Sequence, residues 1–164
     1  MTRADRVQIF QLLTEMNRDR RSAFCSGSPP LDKYFKEIVT QDTKNNLAKC
    51  FVAMIDDRIA GFYTLSASSI ALENLTEEKE KRFRYKFIPV VRLGRLAVDK
   101  DFKRQGLGST LVFDAAQRIV NSSIGAYAVM VEQKDDATGF YEKLGFVPVP
   151  NQPHTVLLRL GSLR

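Results

Sequence analysis

Histidine and cysteine are nearly missing from this 164-residue chain: His154 stands alone, and Cys25 and Cys50 have no Cys-x-x-Cys spacing. A zinc site or a Cys/His nucleophile is therefore poorly supplied, and no metal is expected. No uncharged apolar run of membrane-spanning length occurs, and no apolar h-region follows Met1-Thr-Arg-Ala-Asp-Arg, which points to a cytoplasmic protein. Internal repeats and low-complexity tracts are absent, and glycine and proline are scattered at turns instead of gathered into a linker. One domain over residues 1–164 is the economical reading, and a chain of this length should bury roughly 70% of its unfolded surface without staples.

What the chain has in excess is positive charge, +6 net with a pI near 9.4. The excess is concentrated: Lys79 to Arg104 holds ten Lys/Arg against three acids, Glu80, Asp99 and Asp101, a local balance of +7. Such a patch attracts polyanions, either nucleic acid or a phosphorylated cofactor. A solvated basic surface is the plain alternative.

Val7, Ile9, Leu12 and Leu13 suggest a first strand, followed by the arginine-rich segment Asn17 to Arg21. Ser28-Pro29-Pro30 reads as a helix start, with Ser28 as cap. Leu31, Tyr34, Phe35, Ile38 and Val39 then share one helical face, expected to be core. Residues 47–55 and 58–70 are β-rich and are split by the turn pair Asp56-Asp57. Glu73 to Lys81 is charged and helix-prone. Arg82-Phe83-Arg84-Tyr85-Lys86-Phe87 alternates base and aromatic, so an extended backbone would put cations on one side and rings on the other. Ile88 to Val98 reads as a buried strand, and Leu111, Val112, Ala115, Ala116 and Ile119 mark the helix after it. Tyr127 to Glu132 is the next strand, Asp135 to Leu144 a short helix stopped by Gly145, and Phe146 to Val149 and Thr155 to Leu160 closing strands. The order is mixed α/β.

Between strand and helix lies Lys103-Arg104-Gln105-Gly106-Leu107-Gly108. Free amides and the positive end of the helix dipole converge at such a place, a plausible pyrophosphate cradle. It is not a Walker A loop, nor Gly-x-Gly-x-x-Gly, because Leu111 occupies the third glycine position. An ordinary glycine-containing helix start remains open on spacing alone. Phe140-Tyr141 near the last helix, taken alone, reads as core.

Together, Leu93-Gly94-Arg95-Leu96-Ala97-Val98-Asp99, the basic Gly-x-Gly turn, Phe140-Tyr141 and Leu144-Gly145-Phe146 resemble the GNAT superfamily of acetyl-CoA-dependent N-acetyltransferases. The resemblance runs from about Phe24 to Leu160. More narrowly, Phe24-Cys25-Ser26-Gly27, Leu31-Asp32-Lys33-Tyr34 and Ile88-Pro89-Val90-Val91-Arg92 with the residues through Lys100 are similar to the TacT-like toxins of bacterial toxin-antitoxin modules, which acetylate the amino group of aminoacyl-tRNA.

The resemblance implies a mixed, mostly antiparallel sheet flanked by helices, with a splayed strand pair for the cofactor. By similarity, Leu96, Ala97 and Val98 would pair with the pantetheine arm, and Lys103, Arg104, Gln105, Gly106, Leu107, Gly108 and Ser109 would bind the pyrophosphate of acetyl-CoA. Tyr141 would be the general acid that protonates the departing thiolate, a sensible role for a phenol. Glu132 is a candidate base, set against a strand-end carboxylate in water. Arg82, Arg84, Lys86, Arg92 and Arg95 are candidates for tRNA phosphates, beside rings able to stack on bases. Lys103 stands where Arg or Gln most often opens the glycine motif, and Arg104 where glycine is frequent. A homodimer and a small DNA-binding antitoxin are the partners the resemblance implies. Two rivals stay open: an acetyltransferase for a small amine, polyamine or protein N-terminus, and a GNAT-fold nucleic-acid-binding module without turnover.

Overall fold

The computed structural model describes residues 7–12, 18–133 and 139–163, so the expectations at Leu13, Asn17 and Asp135 lie outside the described residues. The chain forms two compact units, Met1–Ser66 with Gly94–Ala115, and Ala67–Leu93 with Ala116–Arg164.

In the first unit, β2 (Lys49–Ile55) and β3 (Arg58–Ala71) are joined by Asp56 and Asp57, whose φ values of 49° and 66° are the left-handed pair that a two-residue hairpin turn requires. β1 (Gln8–Gln11) pairs antiparallel with β2. A short helix, α1 (Arg18–Ser22), precedes α2 (Pro29–Lys33), a π-helical turn (Tyr34–Ile38) and α3 (Val39–Lys44), which follow one another without a break.

Ser28 precedes α2 but makes no side-chain capping bond. Asp32 reaches back instead, its Oδ1 accepting both the amide and the hydroxyl of Ser26 at 2.9 and 2.7 Å. Tyr34, Phe35 and Val39 are buried as the spacing predicts, whereas Ile38 is 41% exposed. The π-turn explains the difference: the Val39 amide bonds back to the Tyr34 carbonyl, and the wider turn leaves Ile38 facing outward. Phe35 stacks on Phe62 with centroids 4.3 Å apart, and Phe24 packs edge-on against both. These rings centre a core with Leu12, Cys50, Val52, Met54, Ile59 and Ala97.

The second unit takes the far half of β3, the first half of β4 (Phe87–Val98), β5 (Ala128–Glu132), α5 (Phe140–Lys143), β6 (Val147–Pro148) and β7 (Thr155–Arg159). β4 pairs with β5 in parallel over Val90 to Arg92 and runs on to Val98. β5 and β6 each pair antiparallel with β7. The seven-stranded sheet has the order β1-β2-β3-β4-β5-β7-β6. Between β4 and β5 the chain forms α4 (Leu107–Val120), whose Leu111, Val112, Ala115, Ala116 and Ile119 are all buried. A parallel pair requires such a crossover.

Two sequence expectations change here. Glu73 to Lys81 is not an α-helix but two 3₁₀ turns, Leu72–Asn74 and Glu78–Arg82. The second turn is set by Glu80, whose carboxylate accepts the Glu77 amide at 2.8 Å while facing inward, fully buried. The alternation over 82–87 does not give one face of rings either. Phe83 packs edge-on against Tyr127, while Tyr85 and Phe87 are 72% and 57% exposed and the strand begins only at Phe87.

Gly61 on β3 is required by close approach, since a Cβ there would lie 2.9 Å from Leu111 Cδ1 and 3.0 Å from the Ala97 carbonyl oxygen. Gly61→Ala should destabilise the protein by about 1–3 kcal/mol, the usual cost of overpacking. A Cβ at Gly125 meets nothing within 4 Å, so Gly125→Ala, measured beside it in urea unfolding, should show no comparable loss.

Candidate active site

In the first unit the end of β4 is held by Asp99, which is 1% exposed. Its Oδ1 accepts the Asp101 amide at 2.9 Å and its Oδ2 the Cys25 amide at 2.9 Å, while Arg58 approaches Oδ1 at 3.6 Å. The Lys100 amide donates to the Cys25 carbonyl at 2.8 Å, closing a second rung onto the same segment. Phe102 is buried beneath the Arg58 guanidinium, 4.9 Å from its ring centroid. The chain then turns through Arg104 and Gly106, with φ of 63° and 78°, and enters α4 at Leu107.

The result is an exposed loop, Lys103 to Gly106, running into the N-terminus of a fourteen-residue helix. The amides of Leu107, Gly108 and Ser109 have no partner within that helix, and the dipole adds partial positive charge. Such an arrangement favours an anion. The Lys103 ammonium donates to the Ser26 carbonyl at 2.6 Å, fastening the loop to the Phe24–Gly27 segment. Arg104 and Gln105 stay exposed. On β4 itself, Leu96 and Val98 are half-buried and Ala97 is buried.

In the second unit Tyr141 is 8% exposed, between Phe140 at 5.0 Å and Phe146 at 5.4 Å. Gly145, with φ of 100°, ends α5, and the Phe146 amide bonds back to the Tyr141 carbonyl at 3.1 Å. Among the described residues nothing hydrogen-bonds the Tyr141 hydroxyl, and burial pushes its pKa up to about 12. It is a protonated phenol with its donor unspent. Beside it Glu142 is held as an anion: hydrogen bonds from the Gln133 side chain and the Gly139 amide, each 3.1 Å, keep its carboxyl below the usual range.

Glu132 and Arg92, expected in separate roles, pair with each other at 3.4 Å, both about half exposed. Arg82, Arg84 and Lys86 are exposed, as a role on an external polyanion needs. Arg95 is exposed too and lies in the first unit, its guanidinium over the Tyr34 ring.

One cluster was invisible in the sequence. Glu80, read there as part of a charged, helix-prone run, accepts both nitrogens of the Arg159 fork at 2.6 and 3.0 Å and a hydrogen bond from the Tyr127 hydroxyl. Burial pushes the Glu80 carboxyl up, but the Arg159 fork, the Tyr127 hydroxyl and the Glu77 amide outweigh it and hold it below its ordinary value. The only sequence signal available was the three-residue spacing of Glu77 and Glu80.

The acetyltransferase (GNAT) domain family matches residues 26–156. The chain belongs to the GNAT acetyltransferases. A tRNA-acetylating toxin of Mycobacterium tuberculosis is 36% identical to this acetyltransferase over 149 residues, 89% of each chain. Among solved structures, AtaT complexed with acetyl-methionyl-tRNAfMet superposes with a TM-score of 0.86 at 26% identity, covering 96% of each chain. AtaTR bound with acetyl-CoA gives 0.82 at 26% identity, covering 97% of this chain and 96% of the other.

The depressed pKa of Glu80 makes its pairing a pH-dependent support of the GNAT fold. That support is present above the unfolded carboxyl pKa of about 4.3 and is lost as pH falls through the folded value. Arg159→Leu should cost about 3 kcal/mol at pH 7, because it leaves a buried carboxylate without its cation. The gap between variant and wild type should narrow as urea unfolding is repeated toward pH 4.

Proposed function

We propose that this acetyltransferase moves the acetyl group of acetyl-CoA to the α-amino group of aminoacyl-tRNA, leaving a blocked N-acetyl product and arresting translation. The observation that carries the reading is the 36% identity, over 89% of both chains, to a tRNA-acetylating toxin. The solved relatives with acetyl-methionyl-tRNA and with acetyl-CoA support acceptor and donor respectively. In this reading residues 1–164 work as one acetyltransferase domain in the cytoplasm, as a homodimer countered by a small DNA-binding antitoxin.

Acetyl-CoA supplies an activated thioester carbonyl, and everything else is asked of the chain. The residues present fit it: the unspent first-turn amides of α4 suit a pyrophosphate, and Leu96 to Val98 lie on the part of β4 beyond its pairing with β5. Lys103 is a loop fastener in this scheme, and Arg104, Gln105 and the amides from Gly106 to Ser109 do the binding. Tyr141 is the general acid, holding its proton at Oη through the whole physiological range. Glu132 is tied to Arg92, so no strong base is assigned to it. None is required, because an α-amino group with pKa about 7.7 to 8.0 is partly neutral at physiological pH. Arg82, Arg84 and Lys86 supply the attraction for RNA phosphates.

With labelled acetyl-CoA and a pool of charged tRNA, wild type should label the ester-linked aminoacyl fraction. Tyr141→Phe should lower that rate by roughly 10² to 10⁴, with acetyl-CoA binding retained. Label on small amines alone would leave the acetyl transfer standing and reject the tRNA acceptor. The wild-type rate should rise as the amine deprotonates near ~8 and hold level up to about pH 9.5, because Tyr141 keeps its proton there.

Reversing charge at Arg82, Arg84 and Lys86 together should abolish transfer to tRNA while sparing transfer to a small amine. Equal loss on both acceptors would remove these residues from RNA binding.

A further inference from the structure

Arg95 is built into the first unit at two points. Its amide donates to the buried hydroxyl of Thr64 at 3.0 Å, and Gly94 before it leaves room for that hydroxyl, which a Cβ would meet at 3.1 Å. Its guanidinium carbon lies 3.7 Å from the centroid of the Tyr34 ring. At that distance a flat stack is the arrangement that keeps the guanidinium N–H groups clear of the ring. Tyr34 is fixed in turn: it is 3% exposed, stacks toward Phe62, and donates its hydroxyl to Asp42 Oδ2 at 2.9 Å. Burial and that bond push the hydroxyl up, so it remains a donor.

The π-turn that begins at Tyr34 is part of the device. π-turns are rare and often mark functional positions, and this one interrupts a run that would otherwise be one α-helix from Pro29 to Lys44. Asp42 lies two turns further along the same run.

A flat stack spends one face of the guanidinium and none of its N–H groups, which all lie in its plane. Among the described residues no carboxylate pairs with Arg95, although the side chain is exposed. The other arginine of β4, Arg92, differs in pairing with a carboxylate, Glu132, at 3.4 Å. An arginine held flat, oriented from both its backbone and its face, and left with an open fork is a receptor for a planar or tetrahedral oxyanion.

We propose that Tyr34 and Asp42 are positioning residues that hold the Arg95 guanidinium for a two-pronged contact with a phosphodiester of the acceptor RNA. This rests on the tRNA reading above and extends it to a defined receptor and the residues that aim it. Acetyl-CoA also carries phosphates, so the test must separate the two sources.

Steady-state acetylation of charged tRNA and anisotropy binding of deacylated tRNA would be measured for Arg95→Lys, Tyr34→Phe, Tyr34→Leu and the Arg95→Lys/Tyr34→Phe pair. Arg95→Lys, which keeps the charge and loses the fork, should raise both the RNA Kd and the KM for charged tRNA about tenfold, with kcat and the KM for acetyl-CoA within about twofold. Tyr34→Phe keeps the ring and loses the Asp42 anchor, so its rise should be about threefold; Tyr34→Leu should match Arg95→Lys. The paired variant should be no worse than Arg95→Lys alone, because Tyr34 acts through Arg95.

The inference is overturned if Tyr34→Phe leaves RNA binding unchanged, if its effect multiplies with that of Arg95→Lys, or if the losses fall on kcat or on the KM for acetyl-CoA. Should Tyr34→Leu melt early, Tyr34→Phe and the paired variant decide alone. A wild type that binds RNA through Arg95 but labels no charged tRNA would reject the acceptor assignment and keep the receptor.

Discussion

The buried carboxylate of Asp99 is the hinge on which the first unit's chemistry turns. One side chain caps the turn after β4 through the Asp101 amide and anchors the segment at Cys25, while its own amide bonds to the Ala60 carbonyl of β3 at 2.8 Å. Two backbone amides stabilise the anion more surely than the distant Arg58, and no desolvated charge is left without hydrogen bonds. Because the turn is fixed there, the following residues have little freedom in how they enter α4. Lys103 adds a second clamp on Ser26. A helix N-terminus attracts anions only where it is aimed, and these bonds aim it.

Much of this was legible in the residues. The Asp56-Asp57 turn, the buried stripe of α4 and the Gly145 stop follow from local geometry, and local geometry is what sequence patterns report. Ile38 shows where the pattern fails. A period of 3.6 assumes an uninterrupted α-helix, and the π-turn that displaces Ile38 is set by tertiary packing around Tyr34 and Phe35. Glu80 fails for a different reason: inside a run of charges, nothing local separates a carboxylate in water from one seated on Arg159, 79 residues away.

The candidate site divides along the same line. Tyr141 and the Lys103 to Ser109 loop carry sequence motifs, and the structure gives each an environment suited to its proposed task. Tyr34 and Arg95 each lie in a sequence motif, but no motif shows their stacking, because the partners are 61 positions apart and are brought together by folding. The two could be named from the sequence as a core residue and a cation, but not as a pair.

Charge counting illustrates how far folding revises a sequence argument. The segment from Lys79 to Arg104 is +7 on paper, yet its charges are unequal once placed. Two of its three acids, Glu80 and Asp99, are buried and satisfied by internal donors, and the charge of Glu80 is offset by Arg159 from outside the segment. Among its bases, Lys103 is committed to a carbonyl and Arg92 to a carboxylate. Arg82, Arg84 and Arg95 remain exposed without an ion pair among the described residues. Exposed cations with mobile side chains raise the local concentration of RNA in a salt-sensitive way, while a stacked guanidinium can fix its orientation. In the proposed tRNA reading the same net charge serves two purposes, attraction and alignment, and only the arrangement of the side chains separates them.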